Sequence, residues 1–343
     1  MNVTIEEIWE NARGIMAPKC RVCKECNGLA CKGEIPGVGA AGDASSWTAC
    51  TEFLKKVKLN MDTIYDFQGV DTGVSMFGRH WKSPVFVSPI GGISGYNYNG
   101  AITQEEYDRR LIEGASAASI LAFVGDGASR QQVKSGVAAA VAAGAPVVPV
   151  MKPWKTEAFI KRWKEIKCGN IIALGMDIDA AGFANLGTAV DSVSPRGVAE
   201  LREIVKDAGV PFILKGIMTA KGAEKAAEAG CEAIVVSTHG GRVIPSAPAT
   251  CSVLPEIRAA VGGRMKILVD GGIRSGADVF KALALGADAA MIGRPFVIAG
   301  HGGGAEGIAA YAEHINKQLC NIMLLCGAAD IRAISREMVR IES

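Results

Sequence analysis

From about residue 80 onward the chain repeats one pattern, a short apolar run followed by a longer stretch whose apolar positions recur at helical spacing. The runs are PVFVSP at 84–89, ILAFVG at 120–125, PVVPVM at 146–151, NIIALGMD at 170–177, PFILKG at 211–216, AIVVS at 233–237, KILVDGG at 266–272 and AAMIG at 289–293. Each is apolar through its middle rather than alternating, as a parallel strand covered on both faces reads. Segments such as RGVAELREIVKDAG and SGADVFKALALGAD supply the intervening helices. Eight such β-then-α units predict an α/β chain folded as a (β/α)₈ TIM barrel. A doubly wound sheet is the competing architecture, but the early Gly-x-Gly-x-x-Gly turn it needs is missing from a suitable place. Before residue 80 the pattern is irregular: a short amphipathic helix near 4–13, a cysteine segment, the stretch EIPGVGAAGDA and a charged helix near 47–56. The chain therefore divides into an N-terminal segment, 1–80, and a barrel, 81–343, which ends in two expected closing helices, IAAYAEHINKQLCNIMLLCG and DIRAISREMV.

Composition narrows the function classes. With 343 residues, 49% of them apolar, a sizeable core is within reach and a small disulfide scaffold is excluded. The 37 Lys and Arg nearly cancel the 35 Asp and Glu, so no polyanion-binding surface is indicated and nucleic acid is not an expected partner. The longest uncharged apolar stretch, between Lys134 and Lys152, contains Gly136, Gly144 and Pro146 and falls short of the roughly 20 residues a membrane span needs. The start, MNVTIEEIWENARG, lacks the basic region and apolar core of a secretory signal, which predicts a cytoplasmic protein.

Chemistry in such a barrel collects at the C-terminal ends of the strands. That rule selects Pro89 to Gly92, Gly125 to Gly127, Met151 and Lys152, Asp177, Lys215, His239 with Arg242, Asp270 to Arg274, and Gly293 with Arg294. VDGGIRSG at 269–276 and IGRPF at 292–296 carry the sharpest signal. Glycines let backbone N–H groups approach an anion, the following helix adds its N-terminal dipole, and Arg294 adds charge, so a phosphate group is expected here. Lys215 ends an apolar strand and needs a negative partner, which an anionic cofactor would supply. His239 suits proton transfer and Arg242, three positions on, suits a carboxylate. Asp177 is a candidate to hold the imidazole or orient substrate.

These residues carry a resemblance. ILKGIMTAKGAEKAAEAGCEAIVVSTHGGR, followed by PEIRAAVGGRMKILVDGGIRSGADVFKALALGADAAMIGRP, is similar to the FMN-dependent 2-hydroxy acid oxidase and dehydrogenase family, the glycolate oxidase and lactate dehydrogenase type. The resemblance implies FMN as cofactor, with Asp270, Gly271, Gly272, Arg274, Gly293 and Arg294 at its phosphate, Ser88, Pro89, Ile90, Gly125 and Ser237 beside it, and Lys215 near flavin N1 and the C2 carbonyl. It further implies His239 as the base, Arg242 on the substrate carboxylate, Asp177 paired with His239, a small carboxylate substrate and a homotetramer. Departures accompany it. Two family tyrosines are absent, the third strand ends in Met151 and Lys152, and IDAAGFANLG after Asp177 lacks an expected arginine. The particular acid is thus left open, and a reading as an FMN-dependent isomerase resembling type 2 isopentenyl diphosphate isomerase, or as a non-catalytic flavin or metal module, stands beside it.

The resemblance does not cover KCRVCKECNGLACKG, where Cys20, Cys23, Cys26 and Cys31 crowd into twelve residues of a chain with ten cysteines. Thiolates this close can converge on zinc or an iron–sulfur cluster, serve as redox-active thiols near a flavin, or be structural. A cluster would carry electrons from reduced flavin to an acceptor protein or a quinone.

Overall fold

The computed structural model describes residues 3–35, 37–95, 97–183 and 192–342. The chain enters through α1 (Ile5–Met16), crosses the cysteine loop to α2 (Ser45–Lys56), and continues into β1 (Val57–Leu59) and the antiparallel pair β2 (Val74–Met76) and β3 (Arg79–Trp81). Eight strands then alternate with helices: β4 (Val85–Val87), α3 (Gln104–Ala117), β5 (Ala122–Gly125), α4 (Gln131–Ala142), β6 (Val147–Met151), α5 (Thr156–Ile166), β7 (Leu174–Asp177), α6 (Val198–Ala208), β8 (Phe212–Ile217), α7 (Ala220–Glu228), β9 (Ala233–Val236), α8 (Leu254–Val261), β10 (Lys266–Val269), α9 (Gly276–Ala284), β11 (Ala289–Ile292) and α10 (Arg294–Leu325). Each apolar run coincides with one of these strands, β8 extending one residue beyond its run to Ile217. They pair in parallel in chain order, and β11 returns to β4 to close the barrel, which excludes the doubly wound alternative.

Alternation within each buried strand divides the core in two. Phe86, Phe123, Val148, Val150, Ile213, Val235, Leu268 and Met291 fill the barrel, while Val85, Val87, Val124, Leu214, Val236 and Val269 face the helices. The β2–β3 pair plugs the N-terminal end: Trp81 meets Phe86 edge-on, with ring centroids 5.9 Å apart. Several helices start on a cap that ends the preceding strand's loop. Ser275 accepts the amide of Asp278 at 3.2 Å and Thr219 that of Gly222 at 3.0 Å. Among the described residues no helix is long and apolar enough to cross a membrane.

The chain's end differs from the sequence expectation. IAAYAEHINKQLCNIMLLCG is the latter part of α10, which begins at Arg294 and bends at Gly304. DIRAISREMV is not a helix. Asp330 accepts the amides of Arg332 and Ala333 at 2.8 and 3.0 Å, which closes a 3₁₀ turn. The chain then extends into β12 (Val339–Ile341), antiparallel to β1 with Val57 opposite Ile341. Pairing with a strand some 280 positions earlier (57 against 341) outweighs the local helical preference. Through β1–β12 and the packing of α1 on α10, where Trp9 meets Tyr311 at 5.2 Å, the segment before residue 80 is fastened to the barrel.

Candidate active site

A cavity of ≈ 340 Å³ opens at the C-terminal ends of the barrel strands. Ser88, Pro89, Ile90, Gly125, Lys215, His239, Arg242, Asp270, Gly271, Gly272, Arg274, Gly293 and Arg294 all line it, so residues read from strand ends do meet in one place. Asp177 and Ser237 do not line it but stand behind. Both are buried, and the Ser237 hydroxyl accepts the His239 amide at 3.0 Å.

Asp177 is the centre of an ionic network. Its Oδ2 lies 2.6 Å from Lys152 Nζ and its Oδ1 3.0 Å from Lys215 Nζ, while Lys215 also reaches Asp270 Oδ2 at 3.8 Å. Burial alone would raise the pKa of Asp177. The ammonium groups of Lys152 and Lys215 and the His239 ring outweigh it and hold the carboxyl well below the usual range. For Lys215 burial opposes the charge, but Asp177, Asp270 and Asp179 raise the pKa, so the ammonium persists in a dry setting.

His239 meets two aspartates, and the nearer is not the one the resemblance implied. Its Nδ1 is 3.1 Å from Asp179 Oδ1 and 3.9 Å from Asp177 Oδ1. The backbone explains this. Strand β8 is irregular between Lys215 and Ile217, and Gly216 sits there at φ +101°. A Cβ on Gly216 would fall 2.6 Å from the Asp179 side chain, so only glycine leaves room for that carboxylate to reach the ring. With Asp177 already held by two lysines, Asp179 takes the histidine. Burial and the Lys215 ammonium lower the His239 pKa against the pull of both aspartates, so the ring is neutral at neutral pH.

Arg242 donates to the carbonyls of Gly37 and Gly39 at 2.5 and 3.2 Å and to Asn97 Oδ1 at 2.9 Å. It is therefore fixed by Gly37 and Gly39 of the segment before the barrel and by Asn97 in the loop after β4. Phe183 forms an apolar wall, 5.1 Å from the His239 ring centroid and 5.8 Å from Lys152 Nζ. The stretch that lacks the expected arginine continues past Phe183 outside the described residues.

The FMN-dependent dehydrogenase profile matches residues 38–185 and 189–341. The chain belongs to the FMN-dependent dehydrogenase family. A peroxisomal (S)-2-hydroxy-acid oxidase of Oryza sativa subsp. indica is 32% identical over 320 residues, covering 84% of this chain and 85% of that one. An L-lactate oxidase of Lactobacillus jensenii is 43% identical over 166 residues, 48% of this chain but 39% of that enzyme. Against that relative and the similarly identical plant oxidases, the match spans about two fifths of their length. A crystal structure of mandelate oxidase with (S)-2-phenylpropionate superposes with a TM-score of 0.78 at 25% identity, covering 100% of this chain and 99% of that one.

In this member of the FMN-dependent dehydrogenase family the cavity fits the family's cofactor. Gly272, at φ +77°, lies so close to Cys50 that a Cβ would fall 2.7 Å from its carbonyl carbon, which brings backbone N–H groups to the cavity wall. Three residues lining the same cavity carry buried polar atoms without partners: Ser88 Oγ, Gln132 Oε1 and Arg274 Nε. The remaining Arg274 donors go to the carbonyls of Ile273 and Cys26 at 2.8 and 2.9 Å. Those of Arg294 go to Val38, Gly39 and Gly240 at 3.0 to 3.1 Å, and its guanidinium stacks 3.4 Å from the Trp47 ring centre. Two arginines with only carbonyl partners suit an anion. Gly272→Ala is expected to weaken FMN binding about tenfold or more, since left-handed strain and overlap together exceed about 1.4 kcal/mol. Flavin absorbance retained after gel filtration checks this.

Asp179, Gln132, Trp47, Asn97 and Cys50 escaped the sequence reading, although the first stands two residues after Asp177. Asp126 entered only as the middle of Gly125 to Gly127. It is buried and accepts from Trp154 Nε1 at 2.6 Å and the Lys152 amide at 3.1 Å, which holds Lys152 in place. Among the described residues, Asp177, Asp179 and His239 are the one group of three metal-type ligands within 4.8 Å of each other, and the lysines that neutralise it leave no role for a cation there. Cys20, Cys23, Cys26 and Cys31 line a separate cavity beside the first.

Proposed function

We propose that this protein oxidises a 2-hydroxy acid to the 2-oxo acid using FMN. The observation that carries the reading is a histidine with Nδ1 3.1 Å from Asp179 and a lysine 3.0 Å from buried Asp177, both lining one cavity. Bound FMN supplies the two-electron acceptor. His239 takes the hydroxyl proton at Nε2, and Asp179 stabilises the imidazolium that forms. Arg242 binds the substrate carboxylate. Lys215 stabilises negative charge on the reduced cofactor, and Asp177 keeps both Lys215 and Lys152 in position. Asp270, Gly271, Gly272, Arg274, Gly293 and Arg294 hold the phosphate, with Ser88 to Ile90 and Gly125 toward the ring system, while Ser237, behind the cavity wall, steadies the His239 backbone. Lys152, at the strand end where the resemblance implies a tyrosine, and Phe183, in the stretch where it implies an arginine, set the side chain accepted.

The four N-terminal cysteines are read as a metal or cluster site, and the electron acceptor as a protein or a quinone. None of the ten cysteines is in a disulfide, which suits a reducing cytoplasm. Met61, Ile64 and Phe67, 73%, 94% and 57% exposed, support a homo-oligomer. The division at residue 80 separates the cysteine-bearing lead-in from the barrel.

The test is to incubate holoenzyme with a panel of 2-hydroxy acids and a dye acceptor and to identify the 2-oxo product. Because the base must be neutral and its pKa is lowered, kcat/KM is expected to fall only below the ordinary histidine value of about 6.5. No product from any acid, or an acid limb above that value, contradicts the assignment.

A further inference from the structure

The loop carrying the four cysteines is not a loose tail. Gly28, at φ +90°, lies so flat on Trp47 that a Cβ would fall 2.8 Å from the indole. The Cys26 carbonyl accepts from Arg274 at 2.9 Å and the Asn27 carbonyl from Thr48 at 3.2 Å. On this fixed backbone Cys20, Cys23, Cys26 and Cys31 all line one small cavity, and none is in a disulfide.

Two observations select the ligand. A zinc ion with Zn–S bonds near 2.3 Å holds its four sulfurs about 3.8 Å apart. Here, among the described residues, no three cysteine sulfurs lie within 4.8 Å of each other. An iron–sulfur cube spreads its thiolates wider, because each binds a different corner, and Cys-x₂-Cys-x₂-Cys is the spacing that holds three corners of one cube. Cys31, which lines the same cavity, offers a thiolate for the fourth. The second observation is charge. Arg294 lines both this cavity and the FMN cavity, yet its hydrogen bonds go only to backbone carbonyls. A cation in that position suits an anion on each side, a phosphate in one cavity and a thiolate-ligated cluster in the other.

We propose that Cys20, Cys23, Cys26 and Cys31 hold a [4Fe–4S] cluster, separated from the FMN cavity by the single layer of Val38, Trp47, Tyr98 and Arg294, and that the cluster passes electrons to a one-electron carrier protein. The relay rests on the oxidation proposed above; the cluster site does not. Each hydroxy acid releases two electrons and two protons on becoming the oxo acid. The cluster takes the electrons one at a time, formally Fe(III) to Fe(II), and each goes on to a separate carrier molecule, while both protons leave to solvent.

Protein purified without air and reconstituted with ferrous iron and sulfide is expected to hold about four iron and four sulfide per chain and to give an electron paramagnetic resonance signal on reduction by dithionite. Cys23→Ser and Cys26→Ser are expected to lose iron and signal while keeping FMN, and Cys168→Ser to keep all three. One zinc per chain, or no retained iron with all four thiols open to a thiol reagent, overturns the site. Wild-type iron content decides this even where a variant does not fold. Dithionite reads the cluster without substrate, so a cluster in a protein that oxidises no hydroxy acid overturns the proposed activity and leaves the site standing. A hydroxy acid that bleaches the flavin without eliciting the cluster signal overturns the relay.

Discussion

His239→Asn is expected to lower kcat for 2-hydroxy acid oxidation about 10³-fold, within the span that a positioned acid or base contributes. The imidazole stands in the cavity with Nδ1 fixed 3.1 Å from Asp179 and is kept neutral by burial and Lys215, so the variant loses the acceptor for the hydroxyl proton. Arg242 and Lys215 are untouched, so KM and FMN content are expected to change little. Asp179→Asn leaves the ring in place but removes the charge that stabilises the imidazolium, and a smaller loss in kcat is expected together with an acid limb moved further down in pH. Rapid-mixing measurements of flavin reduction, with product analysis, separate these effects. A His239→Asn enzyme within a few-fold of wild type would remove the histidine from the chemistry.

Lys215→Met carries the other large effect, and it falls on stability as well as rate. Lys215 is buried, 3.0 Å from Asp177 and 3.8 Å from Asp270, and its removal leaves Asp177 with Lys152 while Asp270 loses its cation. Breaking a buried pair in this way costs about 3–5 kcal/mol, because a carboxylate remains dry and uncompensated. Burial already pushes the Asp270 carboxyl up, and in the variant it is expected to take a proton. Urea unfolding of the cofactor-free chain reads the stability loss. In the folded holoenzyme, flavin reduction is expected to slow at least about 10²-fold, since the charge facing the reduced cofactor is gone. Lys215→Arg, which keeps the charge, is expected to recover part of both. Unchanged unfolding and unchanged reduction in the Met variant would show that the network does neither job.

The barrel is legible because its strands are covered on both faces, so runs such as PVFVSP and AIVVS are apolar through their middles and stand out from amphipathic helices. Strands β1 and β12 were not, since each spans three residues and exists through a partner at the far end of the chain. The phosphate loop was readable from Gly271, Gly272 and Arg274, where local geometry demands glycine. The Asp179–His239 contact was not. It depends on an irregularity in β8 at Gly216, and nothing in IDAAG separates an aspartate that reaches a histidine from one that turns to solvent. Lys152 was selected by its place at a strand end, but its hold on Asp177 emerges only when β6 and β7 are side by side.

The most direct test of the central claim is anaerobic addition of single 2-hydroxy acids to the FMN-loaded enzyme while the oxidised flavin band is followed. At least one acid is expected to bleach the band with one equivalent of the 2-oxo acid formed per flavin, and His239→Asn is expected to slow this step about 10³-fold. A flavin that no 2-hydroxy acid reduces, but that dithionite does, would contradict it and return weight to an isomerase that uses reduced FMN without net oxidation.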